Sequence, residues 1–379
     1  MLSFVNGLSE KLASRSRHVC LFVGAGASRA CGLPDVAGLE EHLRTSLSGD
    51  ALASFERLLT GRNLEQVLSR LRRIAALIQD TTDEVDGLTG SQANELDVKI
   101  CRRIVDRLAI SPGGTDPMLR LASWAARADY HHPVEIFTVN YDLLVETALE
   151  ALGVPYFDGF VGTARARFRS DLVEASIGED RQWLPAFLVR VWKLHGSVNW
   201  AWNTDPRPTV VRLGTSVPQN QPAAIYPSDA KYEESRRVPF VVLQDRLRKA
   251  LEQPETLTLI AGYAFHDQHL NEIIFDAARR RPRSEVVAFC YSTIPEDLAA
   301  LATTAPNVQV VAPTEAILGG LRRDWDEPDD PPSDVWTDGA VVLGDFNYLA
   351  QFLARSSPPV AELEAQLRQL LANVVKPGA

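Results

Sequence analysis

The segment HVCLFVGAG at 18–26 constrains the fold most, because uninterrupted apolar residues run straight into glycines. A short apolar run stopped by a turn suits a strand buried on both faces, and such strands belong to parallel sheets covered by helices. Similar runs recur at Val134 to Val139, Leu188 to Leu194, Leu257 to Tyr263, Val286 to Tyr291 and Val308 to Ala312, each closing on polar or glycine-bearing residues. Together they predict an α/β protein with one parallel sheet of about six strands.

The hundred or so residues after the first run carry a different period. Leu64, Val67, Leu68, Leu71, Ile74, Ala75 and Ile78 are spaced three and four apart with Arg70, Arg72 and Arg73 opposite, and Val98, Cys101, Val105 and Leu108 repeat the pattern. SPGG at 111–114 breaks it, and Asp116 with Pro117 reads as the cap and first position of another helix. We therefore expect a discontinuous sheet domain (1–38, 131–150 and 188–323), a helical insertion at 39–130, and a less periodic, loop-rich insertion at 151–187. DWDEPDDPPSD opposes both helix and sheet and reads as an acidic linker or exposed loop, opening a C-terminal extension at 324–379. That extension has an apolar segment around Val341 to Leu353 and a last amphipathic helix through Leu363, Leu367 and Leu370.

Composition narrows the chemistry. With 39 basic against 49 acidic residues the formal charge is −10, so nucleic acid is not an expected direct partner. Cys20, Cys31, Cys101 and Cys290 lie far apart without a CxxC pair, which gives neither zinc spacing nor a disulfide framework. No apolar stretch reaches the length of a membrane helix and no secretory leader is evident, so a reducing cytoplasm is the expected home.

GAGAS at 24–28 falls where a strand should turn into a helix. Two readings stand level there: a phosphate-binding turn, or a tight turn with Ser28 as an ordinary cap. A conventional dinucleotide-binding dehydrogenase is disfavoured, since Arg29 replaces the third fingerprint glycine and no acid-terminated second strand follows at the right distance.

The longer string GAGASRACGLPD at 24–35 resembles the GAGxSxxxGxPD signature of the sirtuin family at Gly24, Ala25, Gly26, Ser28, Gly32, Pro34 and Asp35. TVNYD at 138–142 resembles the family's TxNxD segment and LHGS at 194–197 its His-Gly segment, in the family's order. GYAFHDQHLNEII at 262–274 is similar to a segment of bacterial sirtuin-like defence proteins, and NLEQVLSRL at 63–71 and IYPSDAKYEESRR at 225–237 resemble that subfamily more loosely. The resemblance implies a Rossmann-like fold that binds NAD as substrate at the strand carboxyl ends. Lacking the four-cysteine module, the chain resembles zinc-free relatives that release nicotinamide from NAD and deplete it on phage infection. It also implies a homo-oligomer with a protein partner, a HerA-like ATPase ahead of a short Argonaute. A deacylase or ADP-ribosyltransferase, or a non-catalytic NAD or ADP-ribose sensor, are the alternatives.

Breaking the nicotinamide C–N bond builds positive charge on the ribose, with water held on the opposite face. His195, with an ordinary pKa of about 6.5, is expected as general base, a role worth about 10²–10⁴ in rate. Asn140 both donates and accepts, and is expected to position a ribose hydroxyl or the water. Asp142 either acts on a hydroxyl beside Asn140 or caps the helix starting at Leu143. Asp35 either faces the nicotinamide ribose, as the resemblance implies, or is a turn acid after Pro34. Gly24, Ala25, Gly26, Ser28, Pro34, Thr138, Gly196, Ser197, Gly262 and Tyr263 complete the implied cofactor site, Gly262 letting the adenosine ribose approach. Asp267 is read as a helix N-cap outside the catalytic set. His131, His132, His266 and His269 are expected in loop, surface or packing roles, and RRRPR at 279–283 as a solvated helix end.

Overall fold

The computed structural model describes residues 1–379 except 80, 110–113, 129, 176–187, 204–208, 219–220, 222, 226–237, 330 and 356–379. All six apolar runs form strands: Val19–Val23, Glu135–Thr138, Val189–Lys193, Leu257–Ala261, Glu285–Phe289 and Val308–Val311. They lie side by side and parallel. Numbered along the chain, their order across the sheet is third, second, first, fourth, fifth, sixth. This is the doubly wound, Rossmann-like order, in which the direction of winding reverses between the first and fourth strands. Tyr156–Phe157 extends one edge in parallel, and an antiparallel hairpin, Glu315–Leu318 with Leu321–Asp324, extends the other.

Burial on both faces explains why these strands read as unbroken apolar runs. Every residue of Val19–Val23 is buried. Val19, Leu21 and Val23 point into one core and Cys20 and Phe22 into a second, so the sheet separates two hydrophobic layers. Each such side chain contributes about 1.5–3 kcal/mol on burial.

Among the described residues, six helices lie between the first two strands: the short Ala25–Ala30, then Val36–Ser46, Gly49–Leu59, Leu64–Ile78, Gly90–Leu108 and Asp116–Arg127. Leu64–Ile78 buries the stripe that its spacing predicts and starts with a reciprocal capping box between Asn63 and Gln66. Two details differ. Arg72 is not on a solvated face, for its guanidinium pairs with Asp97 at 3.0 Å and donates to the Ile225 carbonyl at 3.0 Å. In Gly90–Leu108 the buried stripe also takes in Ala93, Leu96, Ile100 and Ile104, whereas Val98 is 48% exposed. Asp116 opens its helix rather than capping it, with Thr115 at the cap position.

The 151–187 segment is richer in strands than expected. Phe160–Val161 and Arg165–Phe168 join Thr209–Leu213, Gly196–Asn203 and Ala223–Ile225 in a second, antiparallel sheet of five strands. Past the acidic segment, the helix Phe346–Leu353 packs its Phe346, Leu349 and Leu353 into the core beside Asp116–Arg127, and Arg355 grips Asp334 through two nitrogens at 2.5 Å. The predicted helix through Leu363 and most of the 225–237 segment lie outside the described residues. No helix among the described residues is long and apolar enough to cross a membrane.

Candidate functional site at the strand carboxyl ends

Four neighbouring strands bring the four sequence signatures to one end of the sheet. Gly24 follows Val23, Asn140 lies two residues beyond Thr138, His195 two beyond Lys193, and Gly262 follows Ala261. The strands are in matched register, Val23 opposite both Ala261 and Thr138, and Thr138 opposite Lys193. The winding reversal, where parallel α/β sheets open their ligand crevice, lies between the Gly24 and Gly262 turns.

Asn140 sits at the centre of a buried polar network. The Thr138 hydroxyl donates to the Val23 carbonyl at 2.9 Å and accepts the Asn140 amide at 3.0 Å, which fixes the turn out of the strand. The Asn140 side-chain nitrogen donates to the Gly24 carbonyl at 3.0 Å and to Ser28 Oγ at 2.9 Å. Ser28 in turn donates to Asp142 Oδ2 at 2.6 Å, and Asp142 Oδ1 accepts the Leu144 amide at 3.0 Å. Ser28 thus ties strand ends together instead of capping its own helix. Asp142 spends both oxygens on protein groups, beside Lys193, which donates to the Asp142 carbonyl and pairs with Glu146 at 3.1 Å. Asn140 Oδ1, by contrast, is buried and has no hydrogen-bond partner.

The glycines meet a demand other than a phosphate. The Gly24 amide donates to the Ala261 carbonyl at 2.9 Å and the Gly26 amide to the Gly262 carbonyl at 2.8 Å. A Cβ on Gly24 would lie 2.4 Å from that Gly262 oxygen, and one on Gly262, whose φ is +64°, 2.5 Å from the Ala27 nitrogen. The two turns therefore touch backbone to backbone, and the amides of Gly24 and Gly26 are already committed. This corrects the phosphate-cradle reading for those two amides. Gly196, at φ +91°, faces the second sheet, where a Cβ would lie 2.0 Å from the Ala224 carbonyl oxygen.

Asp35 behaves as the turn acid: it caps Val36–Ser46 by accepting the Gly38 amide at 2.9 Å and takes Arg29 at 3.1 Å. Ala25 and Pro34 are half-buried nearby. Ser197 donates to the Tyr141 carbonyl at 3.3 Å, and Tyr263 to Asn271 Oδ1 at 3.0 Å.

His195 is 2% exposed and stands between two carboxylates. Its Nε2 lies 3.1 Å from Asp267 Oδ2 and its Nδ1 3.9 Å from Glu65 Oε1. Nδ1, like Asn140 Oδ1, is buried without a hydrogen-bond partner. Burial opposes charge on this ring, but the Asp267 hydrogen bond and the charges of Glu65 and Asp267 outweigh it and raise the pKa above the ordinary value. Burial, with the same carboxylates, pushes the Tyr141 and Tyr263 phenols up, so neither titrates near neutrality. Sequence reasoning missed both of these partners. Asp267 does cap its helix, through Oδ1, but its second oxygen was free to reach His195, and Glu65 comes from the helical insertion.

No group of three or more His, Cys, Asp or Glu residues among those described is arranged to hold a metal ion. The four cysteines are free and buried. A cavity of about 950 Å³ lies elsewhere, between the helices Leu64–Ile78 and Gly90–Leu108 and the second sheet, lined by Arg72, Asp97, Arg102, Trp202 and Ala223 among others, and holds none of the signature side chains. The buried, partnerless polar atoms of Asn140 and His195 lie instead at the strand ends.

An α/β protein with a doubly wound parallel sheet and a polar site across its winding reversal is, as a class, a small-ligand-binding architecture. Comparison with known proteins sharpens that. Residues 134–309, a little under half of the chain, match the family model of the SIR2-like domain. The match takes in Asn140, His195 and Asp267 and starts beyond the Gly24 turn. Among solved structures, one titled as Sir2Tm bound to a propionylated peptide aligns at 11% identity and a TM-score of 0.36, covering 77% of this chain and 89% of its own. No curated protein gave a significant match.

Proposed function

We propose that this chain hydrolyses NAD to nicotinamide and ADP-ribose. One observation carries the reading: on adjacent strand ends, Asn140 Oδ1 and His195 Nδ1, an acceptor and a base, are both buried without a hydrogen-bond partner. The SIR2-like match over 134–309 and the sirtuin-like signatures supply the substrate class. In the reaction, the electron pair of the ribose–nicotinamide bond stays with the ring nitrogen and relieves its positive charge. Water adds to the ribose carbon, and its proton passes to His195 and on to solvent. Asn140 orients the ribose hydroxyl or the water, which lowers the entropic part of the barrier. Asp142 and Ser28 hold Asn140 in place.

We propose further that this activity serves anti-phage NAD depletion in the cytoplasm, by a homo-oligomer working with a HerA-like ATPase, a reading supported by the resemblance of 262–274 to bacterial defence proteins. Unrestrained hydrolysis would poison its host, which is why a gating partner belongs to the proposal.

The test is purified protein incubated with NAD, alone and with the product of its neighbouring gene, with nicotinamide release measured. Release without any acylated peptide, lost in His195→Ala and Asn140→Ala, supports the proposal. Turnover that needs an acylated peptide or acceptor protein overturns it in favour of a deacylase or transferase. NAD binding that persists in His195→Ala, without turnover by either protein, overturns it in favour of a sensor.

A further inference from the structure

The surroundings of His195 specify which of its two nitrogens works, and this inference rests on the hydrolase reading above. Asp267 is pinned before it meets the ring: its Oδ1 accepts the His269 amide at 3.0 Å and the Leu270 amide at 3.1 Å at the head of the helix Gln268–Arg280. Its Oδ2 is then directed at His195 Nε2, 3.1 Å away. An ionised carboxylate only accepts, so Nε2 carries the proton and the neutral ring has its lone pair on Nδ1. That atom is buried and has no hydrogen bond, and the acid nearest to it is Glu65, 3.9 Å away on the first turn of Leu64–Ile78.

We propose that Asp267 is a positioning residue that fixes the tautomer of His195, that Nδ1 is the atom that receives the substrate or water proton, and that Glu65 is the counter-ion of the imidazolium so formed. The step balances: an O–H bond of the water or hydroxyl breaks, an N–H bond forms at Nδ1, and the positive charge that appears lies between two carboxylates. The helical insertion thereby contributes to the chemistry of the sheet domain through one side chain.

The charges facing the ring come from several elements. Glu65 and Asp267 raise its proton affinity, Tyr141 and Tyr263 stay neutral, and Arg72, on the same helix as Glu65, is engaged by Asp97. A base held this way works only when deprotonated, so the acid limb of kcat/KM should stand above pH 6.5 or so, the ordinary histidine value.

The experiment is long-range proton–nitrogen NMR on the full chain with ¹⁵N-labelled histidine, the His195 signals being assigned by their loss in His195→Gln. We expect the neutral ring to carry its proton on Nε2. Glu65→Gln and Asp267→Asn should each lower the midpoint by about half a pH unit or more. Asparagine keeps an oxygen for the helix amides, and Glu65 is partly exposed, so both variants should fold. A neutral ring protonated on Nδ1, or midpoints unmoved in both variants, overturns the assignment. Where nicotinamide is released, the acid limb should move down with the midpoint; an unmoved limb overturns Nδ1 as the base. If the wild-type chain releases no nicotinamide either alone or with the product of its neighbouring gene, the hydrolase reading falls, while the NMR titration still decides the tautomer and the role of Glu65.

Discussion

The Ser28 hydroxyl donates to Asp142 Oδ2 at 2.6 Å while its oxygen accepts from Asn140 at 2.9 Å, so one small side chain joins the glycine turn to the strand end carrying Asn140. Ser28→Ala removes both links at once and leaves a buried carboxylate oxygen without its donor. An unpaired buried group costs about 1–3 kcal/mol, and urea denaturation should show a loss in that range. The Asn140 amide keeps only the Gly24 carbonyl, so kcat/KM for nicotinamide release should fall about tenfold or more, equivalent to about 1.4 kcal/mol. Stability unchanged from wild type would mean that this network is not closed.

Glycine content in the signature segments invites a phosphate, but the contacts predict a packing requirement. Gly262→Ala places a methyl 2.5 Å from the Ala27 nitrogen at a φ of +64°. Neither backbone can yield without separating the two turns. Gly153 is the control, with the same φ of +64° and nothing within 4 Å of an added Cβ. Gly153→Ala should cost only the left-handed penalty of about 1–2 kcal/mol, whereas Gly262→Ala should cost more and also abolish nicotinamide release. Thermal denaturation of the two variants side by side decides it; equal losses would remove the packing argument.

A second charged cluster lies at the opposite end of the sheet. Glu135, 1% exposed, accepts from His18 Nε2 at 2.9 Å, Trp192 Nε1 at 2.6 Å and Arg246 Nε at 2.7 Å. Burial opposes ionisation of Glu135, but the His18 and Arg246 hydrogen bonds hold its pKa well below the ordinary range. Burial likewise opposes the charge on His18, yet its interactions with Cys20 and Glu135 raise it to about 10. A raised histidine contributes stability that is complete below its unfolded pKa of about 6.5 and is lost as pH rises through the folded value. The depressed carboxylate contributes stability present above its unfolded pKa of about 4.3, lost as pH falls through the lower folded value. Stability should therefore peak between those limits and decline toward pH 10. Glu135→Gln leaves two buried cations uncompensated and should cost about 3–5 kcal/mol near neutrality, while the acid limb of any NAD hydrolysis stays in place. A stability curve flat from neutrality to pH 10 would contradict the cluster.

The six parallel strands were legible because burial on both faces turns a strand into a continuous apolar run, and such a run needs no partner to be read. The second sheet was not legible. Its strands Phe160–Val161 and Ala223–Ile225 are too short to show alternation, and GSVNWAWN carries polar residues in its buried part because Ser197 and Asn199 bond backbone carbonyls of other segments. At the site, Asn140, Asp142 and His195 could be picked out by motif, yet their partners could not. Glu65 and His195 are far apart in sequence, and nothing in the local pattern of Asp267 distinguishes a cap from a cap that also holds an imidazole. The packing requirement on Gly24, Gly26 and Gly262 was not legible either, since the opposing turn that fills their missing Cβ space lies over two hundred residues away.

Asn140→Asp gives the sharpest test of the site's electrostatics, because the change is isosteric and reverses the hydrogen-bonding sense of one atom. A carboxylate there cannot donate to the Gly24 carbonyl, and it places a second negative charge near Asp142. Both effects disfavour ionisation, so the folded-state pKa of the introduced acid should rise above its unfolded value of about 3.9. The resulting penalty is absent below the unfolded pKa, grows as pH rises through the interval up to the folded pKa, and is full above it. Urea denaturation should show the gap between wild type and Asn140→Asp widening from about pH 4 to pH 7.5, whereas the gap for Asn140→Ala stays nearly constant. A gap independent of pH would place the Asn140 amide away from the Gly24 carbonyl and from Asp142, and would undo the network on which the catalytic assignment of Asn140 depends.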